Sequence, residues 1–265
     1  MPKIKANGLM MNYEEHGAGN PGTPIVLLHG ITQNAQWQAP FAKVLARRRH
    51  VYCLDWVGHG GTDRRDVDGS LDQSYSLESI AWDIRAWLDI MRLNKVVLAG
   101  HSLGGMICQV FARRFSDRVD NLILICTGVG TVYTPMQNFL RAIATLGLAL
   151  KTLWGLGLPK DRLKREWNEK YEYTVKHTNL NTTVIKRCLA QIEKKRFHSE
   201  PWLHELEMPT LVIGAEADRS TTFAPSEILD RELPCSTLYV ARGQEHDCHL
   251  LDPEGIGAVV LDFLA

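Results

Sequence analysis

No stretch of this sequence is both apolar and long enough to cross a bilayer. The longest uncharged apolar run near its middle, Ala142–Leu150, is closed by Arg141 and Lys151. It falls far short of the roughly 20 residues a spanning helix needs, so integral membrane association is not expected. The opening residues, Met1–Gly8, lack the apolar segment of a secretory leader, which predicts a cytoplasmic location. An excess of one charge is missing as well. The chain holds 30 basic and 30 acidic residues, and without a positive surplus nucleic acid is not an expected partner. Cysteine pairs at metal-binding spacing are also absent. The six cysteines (Cys53, Cys108, Cys126, Cys188, Cys235 and Cys248) stand apart with no CxxC. Reduced and mostly buried thiols are expected rather than disulfides or a metal site.

What is present is an ordinary globular composition, 265 residues of which 45% are hydrophobic and 23% charged. That supports one large domain or two small ones, with a real core. Asn7–Gly8, between Lys3–Ala6 and Leu9–Glu15, reads as a hairpin turn. Ile25–Leu28 is a continuous apolar run, as in a strand covered on both faces. A helix is expected over Ala39–Arg49 and a strand over Val51–Asp55. Ser76 is placed to cap a helix through Ile80, Ile84, Leu88 and Met91. Val96–Ala99, a helix to Phe115 and a strand at Val119–Cys126 follow. Strands alternating with helices predict an α/β fold, a mostly parallel doubly wound sheet with helices on both faces.

That rhythm stops after Gly130. From Thr131 to about Leu203 no strand-like run stands out, and the spacing is helical, with breaks at Gly147, Gly155, Gly157 and Pro159. The pattern resumes at Pro209–Gly214, continues with a helix over Pro225–Leu233 and a strand at Thr237–Ala241, and ends in a helix from Pro253 to Leu264. The expected organisation is a core domain of residues 1–130 and 204–265, interrupted by a helical cap at 131–203. Such an insertion is much longer than an ordinary loop.

The chemistry concentrates at Gly100–His101–Ser102–Leu103–Gly104–Gly105, where an apolar strand gives way to a helix. G-x-S-x-G at a strand-to-helix turn is a nucleophile elbow, which lifts the serine hydroxyl clear of the backbone. Side chains at Gly100 or Gly104 would collide with neighbouring backbone there. The motif arises by chance in roughly one chain in ten of this length, so the remainder must supply partners. A serine needs a base, and the base needs an acid to hold it. With the acid and then the histidine following the serine, His246 and His249 are the candidate bases, and His246 is favoured because its loop follows the last strand. Asp218, just past the strand ending at Gly214, is the preferred acid, with Glu216 competing. For the oxyanion, the backbone N–H of Leu103 at a helix start and that of Ile31 after His29–Gly30 are the expected donors.

These pieces resemble the α/β-hydrolase-fold serine hydrolases of the capped, esterase-like kind. The matching segments are Leu28–Gly30, Asp55–Thr62, Gly100–Gly105, Gly214–Asp218 and His246–Glu254, spanning nearly everything outside the insertion. The resemblance implies Ser102 as nucleophile, Asp218 as acid and His246 as base, with no cofactor. It also implies that Asp55–Thr62 is a structural turn and His59 non-catalytic. Two departures stand out. Glu245 occupies a position usually held by glycine, which puts the loop backbone and local charge at His246 in question, and Thr62 replaces a common serine. The expected reaction is hydrolysis of a small-molecule carboxylic ester, including lactones. The runners-up are C–C bond hydrolysis or hydroxynitrile lyase chemistry with the same triad, and then a non-catalytic ligand-binding receptor. Relatives acting on haloalkanes or epoxides carry aspartate at the elbow, so Ser102 argues against that chemistry. Gly30, His101, Met136, Leu140 and Trp154 are expected to face the substrate, the last three from an apolar stripe in the cap.

Overall fold

The computed structural model describes residues 1–65, 75–130, 182–192 and 197–265. Alternation at period two distributes the apolar runs between two cores. In β3 (Ile25–Leu28), Ile25 and Leu27 enter one buried cluster while Val26 and Leu28 enter the other. The same division holds in β4 (Val51–Leu54), β5 (Val96–His101), β6 (Val119–Ile125) and β7 (Thr210–Ala215). A strand can be apolar on both faces only when both are covered. Here α1 (Ala35–Leu45) and α7 (Pro253–Phe263) cover one face, through Phe41, Leu45, Ile256 and Val260. Helices α2 (Leu77–Ile90) and α3 (Leu103–Arg114) cover the other, through Ile80, Ile84, Trp87, Ile107 and Phe111.

Eight strands form one sheet in the order β1-β2-β4-β3-β5-β6-β7-β8, with β1 (Lys3–Ala6), β2 (Leu9–His16) and β8 (Ser236–Ala241) completing it. The Asn7–Gly8 turn, with φ of 47° and 81°, joins β1 to β2 antiparallel, and β2 pairs antiparallel with β4. Every other pairing is parallel. The expected hairpin and mostly parallel doubly wound sheet are therefore both present. Strand order reverses at β3, which lies between β4 and β5, and Leu28 sits in register with Gly100. In such sheets ligands bind outside the carboxyl ends of the strands at this reversal. His29–Gly30 and the serine turn are brought together there.

Ser76 caps α2 as anticipated, accepting from Ser79 N. Helix α1 differs from expectation. It starts at Ala35, because the Asn34 side chain accepts from Trp37 N at 3.0 Å, and Pro40 lies inside it. Its last helical residue is Leu45 rather than Arg49. Gly130 bridges His198, and Ser199 N donates to Val129 O at 2.9 Å, which ties the residues after β6 to those before β7. Between those points α4 (Thr182–Ile192) is described, and it buries Val184 and Cys188 against the core. Beyond it lie a 3-10 turn at Glu200–Glu205, α5 (Ala224–Glu232) and a short α6 (Cys248–Leu251). Met136, Leu140 and Trp154 lie outside the described residues. All six cysteines are free thiols, and only Cys235 is exposed. Among the described residues no helix is long and apolar enough to cross a membrane.

Candidate active site

Ser102 has φ of 53°, a left-handed conformation a serine adopts only when its surroundings impose it. They do so with glycine. A Cβ on Gly104 would lie 2.4 Å from the Leu28 carbonyl oxygen and 2.7 Å from that of His29; one on Gly100 would lie 2.5 Å from the Gly104 backbone. The main chain of Ser102 is fully engaged. Its N–H donates to Ile125 O (2.9 Å), and its carbonyl accepts from Thr127 Oγ1 (2.6 Å) and Gly105 N (3.0 Å). The residue is half-buried, at the carboxyl end of β5. Leu103 begins α3, so geometry leaves its N–H without an intrahelical acceptor.

Gly30 brings the loop after β3 against this turn: a Cβ there would lie 3.3 Å from Ser102 Cβ and 3.0 Å from His101 Nδ1. The Gly30 carbonyl accepts from His29 Nδ1 (2.8 Å) and Gln33 N (3.1 Å). Because a trans peptide points its N–H opposite its C=O, these bonds fix the direction of the Ile31 N–H. The Ile31 carbonyl accepts from His59 Nε2 at 2.6 Å. His59 is fully buried, and burial with the neighbouring His29 ring lowers its pKa to about 3. The turn that carries His59 is itself pinned by Asp55, which accepts from Ala35 N (2.6 Å), Asn12 Nδ2 (2.7 Å) and Gly61 N (2.9 Å). Thr62 Oγ1 donates to Asp55 O and accepts from Asn12 N. The hydroxyl that a serine would supply is present.

Asp218 and His246 meet across loops that follow β7 and β8, His246 Nδ1 lying 2.7 Å from Asp218 Oδ2. The carboxylate is buried, and it also accepts from Ser220 N, Thr221 N and Thr221 Oγ1. Burial opposes its charge, but the bond from His246 and those of Thr221 and Ser220 outweigh it and lower its pKa. An ionised carboxylate only accepts, so Nδ1 carries the proton and a neutral ring leaves Nε2 as an acceptor. Glu216 is exposed and accepts from Gly243 N instead. His249 is buried, with Nε2 3.0 Å from Gln38 Oε1 and its ring against Phe41. Of the competing residues, Asp218 and His246 are the pair in contact. The left-handed residue of the histidine loop is Gly243, with φ of 66°, so Glu245 imposes no backbone strain.

His101, expected at the substrate face, is buried beneath the site. Its Nε2 lies 3.0 Å from the His246 carbonyl oxygen and its Nδ1 3.2 Å from Gln33 Oε1. Burial and the neighbouring His246 ring lower its pKa to about 3, against the pull of Asp247. Gln33, Gln38 and Thr221 had no signal in the sequence, because their role depends on which loops the fold brings together. Cys126, Asp218 and His246 are the one described group whose possible metal-ligand atoms come within 4.8 Å of one another. Asp218 and His246 are already bonded to each other. The Cys126 thiol lies 3.6 Å from that of Cys248, and this contact with burial raises its pKa strongly.

A family model described as alpha/beta hydrolase fold matches residues 23–253. An uncharacterised protein of Mycobacterium tuberculosis is 34% identical over 139 residues, covering 52% of this chain and 38% of that protein. The chain thus matches well under half the length of that relative. Monoacylglycerol lipase abhd6-B of Xenopus laevis is 24% identical over 298 residues, covering 98% of this chain and 84% of the lipase. Two solved structures share the fold over nearly the whole chain. Est816, described as an N-acyl homoserine lactone degrading enzyme, has a TM-score of 0.77 at 22% identity, covering 99% of this chain and 100% of its own. A meta-cleavage product hydrolase of Pseudomonas fluorescens IP01 has a TM-score of 0.76 at 19% identity, covering 100% and 97%.

Proposed function

The chain belongs to the alpha/beta hydrolase fold family, and from that membership we propose that it is a serine hydrolase cleaving small-molecule carboxylic esters, including lactones. The observation that carries this reading is the 2.7 Å bond between His246 Nδ1 and Asp218, on loops meeting the strained Ser102 turn. In the proposed reaction His246 Nε2 takes the Ser102 proton as the hydroxyl attacks the ester carbonyl. Asp218 holds the ring in the tautomer that can do this. The Leu103 and Ile31 N–H groups receive the oxyanion, and the helix start at Leu103 adds its dipole. The alcohol leaves with the proton from His246, and water activated by the same ring releases the acid from Ser102. No cofactor takes part. The lipase and lactone-degrading relatives support the substrate class; the cap proposed over residues 131–203 would set the choice among esters.

The test is a panel of nitrophenyl esters of increasing acyl length, combined with labelling by a serine-directed fluorophosphonate. The wild type is expected to turn over short esters with saturation and to take up one label. Ser102→Ala should lower turnover by about 10⁴-fold with folding intact, and Asp218→Asn should also cost heavily while Glu216→Gln does not. Esterase activity retained in Ser102→Ala refutes the assignment. A labelled enzyme that ignores every ester but cleaves a carbon–carbon bond points to the C–C hydrolase chemistry instead.

A further inference from the structure

Behind the site, one buried side chain touches three of the segments that the proposed reaction must hold in register. Gln33 is 3% exposed and sits at the start of the approach to α1. Its Oε1 accepts from Gly30 N at 3.2 Å and from Gln38 Nε2 at 2.7 Å, and its Nε2 donates to Asp247 Oδ1 at 2.9 Å. The orientation of this amide is settled by its neighbours: Gly30 N–H can only donate, and the Asp247 carboxylate can only accept. Gly30 precedes the proposed oxyanion donor Ile31, and Asp247 follows the proposed base His246. The third segment is the serine turn. His101, the residue before Ser102, points Nδ1 at Gln33 Oε1 and Nε2 at the His246 carbonyl. Both neighbours are acceptors, and a neutral ring has one N–H, so His101 serves one of them at a time. The firm links are therefore those to Gly30 and Asp247, which join residues more than 210 positions apart.

We propose that Gln33 is a positioning residue, clamping the oxyanion loop to the loop of the catalytic histidine. This rests on the serine hydrolase reading above. A donor N–H and a base each need to be held to a fraction of an ångström, and small misplacements cost large factors in rate. The clamp accounts for the two ends of this buried amide: Oε1 holds Gly30 N, with Gln38 of α1 steadying the same oxygen, and Nε2 holds Asp247. Its bonds go to the segments that carry the oxyanion donor and the base, so its loss should appear in kcat more than in KM.

The polarity of the link can be reversed. Gln33→Glu keeps the oxygen that accepts from Gly30 and Gln38, but sets a second carboxylate against Asp247. Adding Asp247→Asn restores a donor–acceptor pair with the roles exchanged. With 4-nitrophenyl butyrate at pH 8, Gln33→Glu should lower kcat roughly ten- to hundredfold with KM within about threefold. The double variant should recover most of that loss. Gln33→Met, close in volume and without the bonds, should lose kcat to a similar degree and show no recovery when combined with Asp247→Asn. The rate of fluorophosphonate labelling should follow kcat through the series, with thermal midpoints recorded for each protein. Variants that label as fast as a labelled wild type, or a double variant no better than Gln33→Glu, overturn the clamp alone. A wild type that takes up no label overturns the serine hydrolase reading and the clamp with it.

Discussion

Acid should destabilise this protein well before its carboxylates titrate, because three histidines are buried where protonation is hindered. Burial lowers His29 to about 4, His59 to about 3 and His101 to about 3, each from 6.5. His29 Nε2 has no hydrogen-bond partner, and its nearest carboxylate, that of Asp55, is 3.7 Å away. His101 faces Asp247 and His246; His59 faces Asp55 and His29. The unfolded chain takes up these protons below pH 6.5 while the folded chain does not, so the unfolded state binds more protons. Stability is therefore independent of the three rings above pH 6.5 and falls as pH drops below it. Between pH 7 and pH 5 each ring removes about 2 kcal/mol, and the three together about 5–6 kcal/mol. That is comparable to the whole stability of a marginal domain. His249, also held well below its ordinary value by burial and the neighbouring His101 and His246 rings, adds to the same trend. Asp55 and Asp83, raised by burial, act in the opposite direction, because as pH falls their folded forms take up protons before the unfolded ones. Urea unfolding followed by circular dichroism at pH 7 and pH 5 measures the difference directly. His59→Gln can still donate to Ile31 O and removes one titrating ring, so its pH 7-to-5 loss should shrink by about 2 kcal/mol. A wild-type loss below about 2 kcal/mol, or a loss unchanged in His59→Gln, would refute the reasoning.

Two further outcomes follow from contacts that cannot relax. Gly104→Ala drives a Cβ into the Leu28 and His29 carbonyl oxygens, which belong to a central strand end, so it should cost at least about 2–3 kcal/mol in urea unfolding and abolish esterase activity. A variant as stable as the wild type contradicts the placement of the turn. Asp55→Ala strips acceptors from Ala35 N, Gly61 N and Asn12, all at a buried carboxylate, and should cost about 3–5 kcal/mol. A loss under 1 kcal/mol in the same assay would mean that water replaces the carboxylate there.

Local pattern made most of the fold legible. The Asn7–Gly8 turn, the apolar runs of β3 through β7 and the Ser76 cap each announce themselves within a few residues, because the signal and the structure it causes lie in the same segment. The start of α1 was misplaced by four residues, since Asn34 reads as a loop residue until its side chain is seen to accept from Trp37 N. The site was legible to the same extent. Gly100–Gly104 marks a turn whose crowding demands glycine, and Asp218 and His246 stood among four candidates after the strands that carry them.

The sequence by itself determined the elements, their alternation and a short set of chemically able side chains, because periodicity, capping and turn chemistry act over a few residues. The tertiary structure decided which of those side chains meet. It set Asp218 rather than Glu216 against His246, buried His101 beneath the serine turn, and gave Gln33 its hold on loops at opposite ends of the chain. The physical reason is the strand order. Reversal at β3 places the ends of β3 and β5 side by side, with the β7 and β8 loops folding over the same edge. Contacts at that edge join residues up to 214 positions apart, and no window along the chain contains both partners.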